Sequence, residues 1–258
     1  MKIKKILITG AAGYLAGFII DRLRSKYELT LTDLIEPKPD FKDLPFMQAD
    51  LMNYEDIEKV CEGHDAVVHL VALVRERFDK PAWLFADVMV KGTWNIAEAC
   101  ATGKVQRLIN ISSISACSPI PGAELPYRVG APFQFNSGGL YYALAKYLGE
   151  QVGEAYYQAH GLSVIHLRPG VIAGDGLNPG PKVPDHLDQA GPTEPWFVYV
   201  DPRDVAQAVE LAIETPDVMY GSYHVVAGRE DSRFDWKQTA EELGYRPEHN
   251  WPEIPERR

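Results

Sequence analysis

Cysteine is scarce in this chain. Cys61, Cys100 and Cys117 are the whole complement, and they stand far apart without CxxC or Cys/His spacing, so neither a disulfide framework nor a zinc site is expected. A reducing interior is the natural setting and the cytoplasm the expected location. Basic charge is also short: 26 Lys and Arg face 36 Asp and Glu, a formal charge of −10. A nucleic-acid partner or an anionic membrane surface would call for a basic patch, so neither is expected. No run of about 18 apolar residues occurs, so no membrane span is expected. The opening MKIKKILITG holds too few apolar residues before Gly10 for a signal-peptide core. Internal repeats are absent.

What is present is an alternation. The chain of 258 residues, 46% apolar, can bury one substantial core, or one large domain with a modest appendage. Its first two-thirds alternates short apolar runs with helix-like stretches, the pattern of a parallel sheet wrapped by helices. Strands are expected at Lys5–Thr9, Leu29–Asp33, Phe46–Ala49, Ala66–Leu70, Arg107–Ile111 and Ser163–Leu167, and helices near 14–25, 54–62, 83–101 and 140–159. Right-handed crossovers then give a doubly wound α/β sheet of Rossmann type, with a ligand crevice at the carboxyl ends of its strands.

After Pro169 the texture changes. Residues 174–195 are rich in Gly and Pro with little periodicity and read as an irregular substrate-side loop. Phe197–Val200 and Asp201–Glu214 look like a strand and a helix returning to the main sheet. A strand at Tyr223–Val226, a helix at Asp235–Leu243 and a Pro-rich tail follow. The expected organisation is a Rossmann domain over 1–170 and 197–215, with a small discontinuous C-terminal substrate cap over 171–196 and 216–258.

Two features mark a dinucleotide site. In ILITGAAGYLAGFIIDRL, Gly10 and Gly13 follow the first strand and head the first helix, where glycine lets the backbone turn tightly and approach a pyrophosphate held by helix N–H groups. The usual third glycine is Ala16, with Gly17 after it. Asp33 ends the second strand twenty residues beyond Gly13, where a carboxylate accepts hydrogen bonds from both adenosine ribose hydroxyls. That carboxylate would repel a 2′-phosphate, and no Arg or Lys stands beside it or in the glycine loop, so NAD is favoured over NADP. A turn or capping role is the alternative for Asp33. Asp50 and Leu51, after the third strand, resemble the pair that frames an adenine ring.

The stretch GGLYYALAKYLGE puts Tyr142 and Lys146 four residues apart, on one helix face. With 13 tyrosines and as many lysines, such a pair arises by chance about 0.6 times, so position decides. The pair follows the fifth strand, which ends NISSIS and offers Ser112 and Ser113 at the carboxyl edge. Oxidising a carbinol needs a base for the hydroxyl proton. Tyrosine, with a pKa of about 10, is too weak an acid unassisted. An ammonium about 4 Å away at an effective dielectric of about 20 contributes roughly 4 kcal/mol, or about three pKa units before desolvation losses. Ser113 would hold the substrate oxygen. Tyr141 lacks a lysine at the right spacing, and packing or substrate contact is its preferred role.

Taken in order, the TGxxGxxA start, Asp33, HLVAL at 69–73, KGTWN at 91–95, NISSIS, Tyr142-x-x-x-Lys146 and LRPGVI at 167–172 resemble the extended short-chain dehydrogenase/reductase family of NAD-dependent epimerases, dehydratases and dehydrogenases. The resemblance covers roughly residues 5–215. It implies catalytic Ser113, Tyr142 and Lys146, and a cofactor site of Gly10, Gly13, Tyr14, Leu15, Asp33, Asp50, Leu51, Leu70, Ala72, Tyr142, Lys146 and Pro169. The serine four positions before a Tyr-Gly pair is the family's catalytic one, which selects Ser113 over Ser112. Cys117 and Ser118 replace that Tyr-Gly here, and Met89 stands where Asn often precedes the Gly-Thr pair. Many members are homodimers, which makes a two-fold helical interface of Trp83, Trp94 and helix 140–159 one expectation and core packing the other.

Arg168 and Arg203 offer bidentate forks for a substrate carboxylate or phosphate. The alternatives are structural, Arg168 ending a core strand and Arg203 pairing with Asp204 or Glu210. His69, inside the apolar fourth strand, reads as a satisfied core histidine. Lys182, His186, Tyr199 and Arg229 are cap candidates by location only. Three functions compete. The first is an NAD-dependent dehydrogenase oxidising a sugar or sugar acid, favoured because uronate dehydrogenases resemble the chain in length and in a short C-terminal portion. The second is a nucleotide-sugar epimerase or dehydratase that recycles its NAD; the short cap, and Ile114 and Ser115 where dehydratases carry Asp-Glu, count against it. The third is a redox sensor or scaffold, for which an intact Ser, Tyr and Lys are unneeded.

Overall fold

A computed structural model describes residues 3–73, 80–137, 139–172, 199–228, 230 and 232–249. A seven-stranded, all-parallel sheet forms from β1 (Lys5–Thr9), β2 (Glu28–Asp33), β3 (Phe46–Gln48), β4 (Ala66–His69), β5 (Arg107–Ile111), β8 (Ser163–Pro169) and β11 (Tyr220–Val225), in the order β11-β8-β5-β4-β1-β2-β3. The chain winds outward from β1 to β3, then restarts at β4 and winds the other way. The β1/β4 boundary is therefore the topological switch point, and its carboxyl edge is the crevice. Two short pairs lie outside the sheet: β6 (Ser118–Pro119) with β7 (Phe133–Gln134), and β9 (Val171–Ile172) with β10 (Tyr199–Val200).

The strands are apolar because both faces of a parallel sheet are covered. Ile6, Leu7 and Ile8 of β1 are fully buried, Ile6 and Ile8 in one core layer and Leu7 in the other. Helices α1 (Tyr14–Leu23) and α6 (Pro202–Glu214) cover the first layer; α2 (Tyr54–Cys61), α4 (Gly92–Thr102) and α5 (Leu140–His160) cover the second. In α1 the buried residues Ala16, Ile19, Ile20 and Leu23 repeat at helical spacing. The last described helix is α7 (Lys237–Leu243).

The structure departs from the sequence reading in three places. Helix 83–101 is α3 (Ala82–Phe85) running through a π-helical segment, Ala86–Lys91, into α4; buried Phe85, Met89, Thr93, Ile96 and Cys100 keep the apolar stripe unbroken, so no sign of it shows in the sequence. The strand expected at Tyr223–Val226 begins at Tyr220 and pairs with β8, so that part of segment 216–258 is an edge of the main sheet. Trp83 and Trp94 are 64% and 56% exposed, which overturns core packing for both. The loop 174–195 and Lys182, His186 and Arg229 lie outside the described residues; Tyr199 is in β10. No described helix is long and apolar enough to cross a membrane.

Candidate active site

Backbone geometry at the switch point dictates the glycines. Gly10 adopts φ +73°, and a Cβ there would stand 3.1 Å from the Val71 nitrogen and 3.2 Å from the Leu70 carbonyl carbon. The loop closes with Gly13 N–H donating to the Gly10 carbonyl at 3.0 Å. No side chain caps α1 and its first turn holds no acid. Asp33, at the end of β2, accepts from Ala12 N–H at 3.0 Å and Leu34 N–H at 2.7 Å. Its carboxylate thus abuts the glycine loop. Tyr14 and Leu15 form the first turn of α1.

Gly10→Ala tests the cradle. A non-glycine residue in the left-handed region costs about 1–2 kcal/mol, and the new methyl presses on Leu70 and Val71 just after β4. The expected result is a lower unfolding midpoint and loss of most of the upward shift that saturating NAD gives the parent. Retention of that shift in thermal melts would remove Gly10 from the cofactor site.

The remaining strand ends line the same edge. Leu70 N–H donates to Thr9 at 3.2 Å, and Ala72 follows, half-buried. Asp50 turns its loop by accepting from Met52 N–H at 2.9 Å. Leu51 packs against Gly92 while its carbonyl takes the Asn95 amide at 2.7 Å. Pro169 ends β8, buried.

Lys146 and Ser113 lie at the carboxyl end of β5, and Tyr142 stands one turn before Lys146 on α5. Helix α5 starts and ends at left-handed glycines, Gly139 and Gly161, and lays Tyr142, Lys146, Gly149, Glu150 and Gly153 along one buried stripe. Gly153 is obligatory: a Cβ there would come within 2.5 Å of the His166 ring and 2.9 Å of Val164. Lys146 Nζ donates to the carbonyl of Ile111 at 2.6 Å, deep in the protein. Two residues on, Ser113 Oγ accepts from Ser115 N–H at 3.1 Å and opens the turn Ile114–Cys117. The Tyr142 ring is buried with Phe85, Met89 and Ala145. Burial lowers the Lys146 ammonium to about 8, with the Glu150 carboxylate opposing that shift.

His69 is a core histidine, as its strand position implies. It bridges Thr9 Oγ1 at 2.7 Å and Thr93 Oγ1 at 3.1 Å, and burial, then the charge of Lys146, lower it to about 3.

The two arginines pair with carboxylates of the chain. Arg168 turns inward, with Nε at 2.8 Å and Nη2 at 2.6 Å on the Glu150 carboxylate, both side chains buried. Glu150 takes the Nε and Nη2 edge of its fork while Nη1 is buried without a hydrogen-bond partner, so the side chain forms a buried ion pair. Arg203 sets its fork on Asp201, at 2.8 and 2.7 Å. Neither sequence-level partner takes it: Asp204 accepts from His249, and Glu210 pairs with Arg22 and Lys26. Glu150 was the residue missed; its signal is the Lys-x-x-x-Glu spacing on one helix face.

Comparison with known proteins follows this geometry. Residues 6–228 match the model of the NAD dependent epimerase/dehydratase family. The chain is 26% identical over 263 residues to L-arabinose 1-dehydrogenase (NAD(P)(+)) of Haloferax volcanii, covering 95% of this chain and 97% of that protein. It is 27% identical over 247 residues to uronate dehydrogenase of Pseudomonas syringae pv. tomato, covering 94% and 81%. The crystal structure of uronate dehydrogenase from Agrobacterium tumefaciens superposes with a TM-score of 0.78 at 22% identity, covering 97% of this chain and 86% of that one.

Proposed function

The chain belongs to the NAD dependent epimerase/dehydratase family, and from that premise we propose that it is an NAD-dependent oxidoreductase oxidising a hydroxyl of a sugar or sugar acid. Its two curated relatives described above are sugar and sugar-acid dehydrogenases. The cofactor fits the chain's own residues: a left-handed Gly10 packed closely on Leu70 and Val71, an α1 end without a side-chain cap, and an Asp33 carboxylate held against the loop. When bound, NAD supplies the acceptor for the hydrogen and electron pair leaving the carbinol carbon. Gly10, Gly13, Tyr14 and Leu15 would hold the pyrophosphate, Asp33 the adenosine ribose, Asp50 and Leu51 the adenine, and Leu70, Ala72 and Pro169 the strand-end path to the nicotinamide.

The proton belongs to the chain. Tyr142, ionised to a phenolate that the charge of Lys146 stabilises, takes it from the substrate hydroxyl and becomes the neutral phenol, while Ser113 holds the substrate oxygen. The observation that carries this reading is the 2.6 Å bond from Lys146 to the Ile111 carbonyl. It fixes an ammonium at the end of β5, two residues from Ser113 and one helical turn from Tyr142. The cap that selects the substrate is assigned to 171–196 and the part of 216–258 beyond β11. A homodimer is proposed through the outer face of α3 to α5, where Trp83, Trp94, Tyr141, Leu144 and Leu148 are exposed. Cytoplasmic residence is proposed from the unpaired cysteines Cys61, Cys100 and Cys117.

Aldoses, uronic acids and nucleotide-sugars offered with NAD form the deciding panel. Net NADH, one per hydroxyl oxidised, is the expected result with an aldose or uronic acid, and NAD outperforms NADP because of Asp33. A product formed without NADH selects an epimerase or dehydratase instead. Neither product nor NADH across the panel overturns the sugar reading.

A further inference from the structure

Lys146 is held by more than a backbone carbonyl. One turn along α5, on the same face, stands Glu150, 2% exposed. Arg168 of β8 grips that carboxylate through two nitrogens. We propose that Glu150, pinned by Arg168, is a positioning residue for the proton chemistry, its buried carboxylate keeping Lys146 cationic beside Tyr142. This inference rests on the roles proposed above for Tyr142 and Lys146.

The surroundings leave little else to do that work. Facing Lys146, β4 contributes His69, held neutral by burial, and β5 the Ile111 carbonyl and Ser113. The helical stretch from Ala82 to Thr102 contributes the uncharged Thr93, packed on Gly149; its Asp87 and Lys91 stand on the outer side with Leu148. Glu150 is the carboxylate that acts on Lys146 among the described residues. Facing Glu150 are Arg168 and His166 of β8, Ser112 beyond β5, His224 and Tyr220 of β11, and Cys117. Burial lowers both histidines to about 4 and raises Tyr220 and Cys117, so all four are uncharged at neutral pH. One negative charge therefore serves two positive ones. Removing it leaves two cations sharing a buried site, and the lysine is the one able to shed its proton.

The test reads the tyrosine directly. Apo-protein carrying ¹³Cζ-tyrosine, with the Tyr142 resonance assigned by its loss in Tyr142→Phe, is titrated without turnover. In Glu150→Gln the Tyr142 midpoint is expected to rise by about one pH unit, and the alkaline-rising limb of kcat to move with it. The double variant Glu150→Met/Arg168→Met leaves no orphaned buried charge, and it is expected to show a rise as well. Glu154→Gln, one turn further along, is expected to leave the midpoint in place. A folded double variant with an unmoved midpoint overturns the proposal, because the ion pair is then merely structural. The titration needs no substrate, so an absence of NADH formation sinks the sugar-dehydrogenase reading while a displaced midpoint still supports this one.

Discussion

Tyr142→Phe lowers kcat by about a thousandfold, within the range of a lost general base, while the dissociation constant for NAD changes by no more than about threefold. The substitution deletes one oxygen. The ring stays in its pocket with Phe85, Met89 and Ala145, so α5 keeps its place and Lys146 keeps its bond to Ile111. The cradle at Gly10 and the Asp33 carboxylate lie on other elements, which is why cofactor affinity is expected to survive. The pH dependence that belongs to the phenol vanishes with it. NAD titrated against protein fluorescence, alongside initial rates, separates the two effects. A Tyr142→Phe variant retaining a tenth or more of the parental rate would falsify the assignment of Tyr142 as base.

Lowering pH from 7.5 to 5 is expected to remove about 6 kcal/mol of folding stability, roughly 2 kcal/mol from each of His69, His166 and His224. All three are buried, and burial is the leading cause of their depressed values of about 3, 4 and 4. In the unfolded chain they titrate near 6.5. Between that value and their folded values the unfolded chain takes up protons that the native protein refuses. Stability is therefore full above about pH 6.5 and is lost as pH falls toward 4. A loss of that size is comparable to the whole stability of an ordinary domain. Urea unfolding at pH 7.5, 6 and 5 measures it, and equal stability at the first and last of these would refute the neutral-histidine account.

The sheet was legible because its strands are covered on both faces, and nearly continuous runs such as KILIT and AVVH have few other uses. β11 was read three residues short: it opens Tyr-Gly-Ser, and its first residues lie at the partly buried edge of the sheet, where apolar patterning weakens. The placement of Gly10, Gly13 and Asp33 was legible because they lie at or just beyond strand ends, and that of Tyr142 and Lys146 because their spacing puts them on one helix face. The partner of Arg168 was not legible, for the opposite reason. Glu150 is 18 residues away on a different element, and no local pattern reports which of two buried charges will meet. An exposed Trp83 and Trp94 was one of two expectations left open for a similar reason, since a large apolar residue at helical spacing reads alike on an inner or an outer face.

Gly153 ties the chemistry to the scaffold. It lies seven residues beyond Lys146 on an unbroken helix, and the space a methyl would need is filled by His166, itself bonded to Asn110, and by Val164. Any side chain there has to displace the buried His166 and Val164 or lift α5 away from β8, and a rigid rod lifted at one point also moves at its other end. Lys146 would then leave the Ile111 carbonyl although neither residue had changed. A mutation search for sturdier or laxer variants of this core cannot treat position 153 as mere packing, because drift there is inherited by the active site as a change of aim.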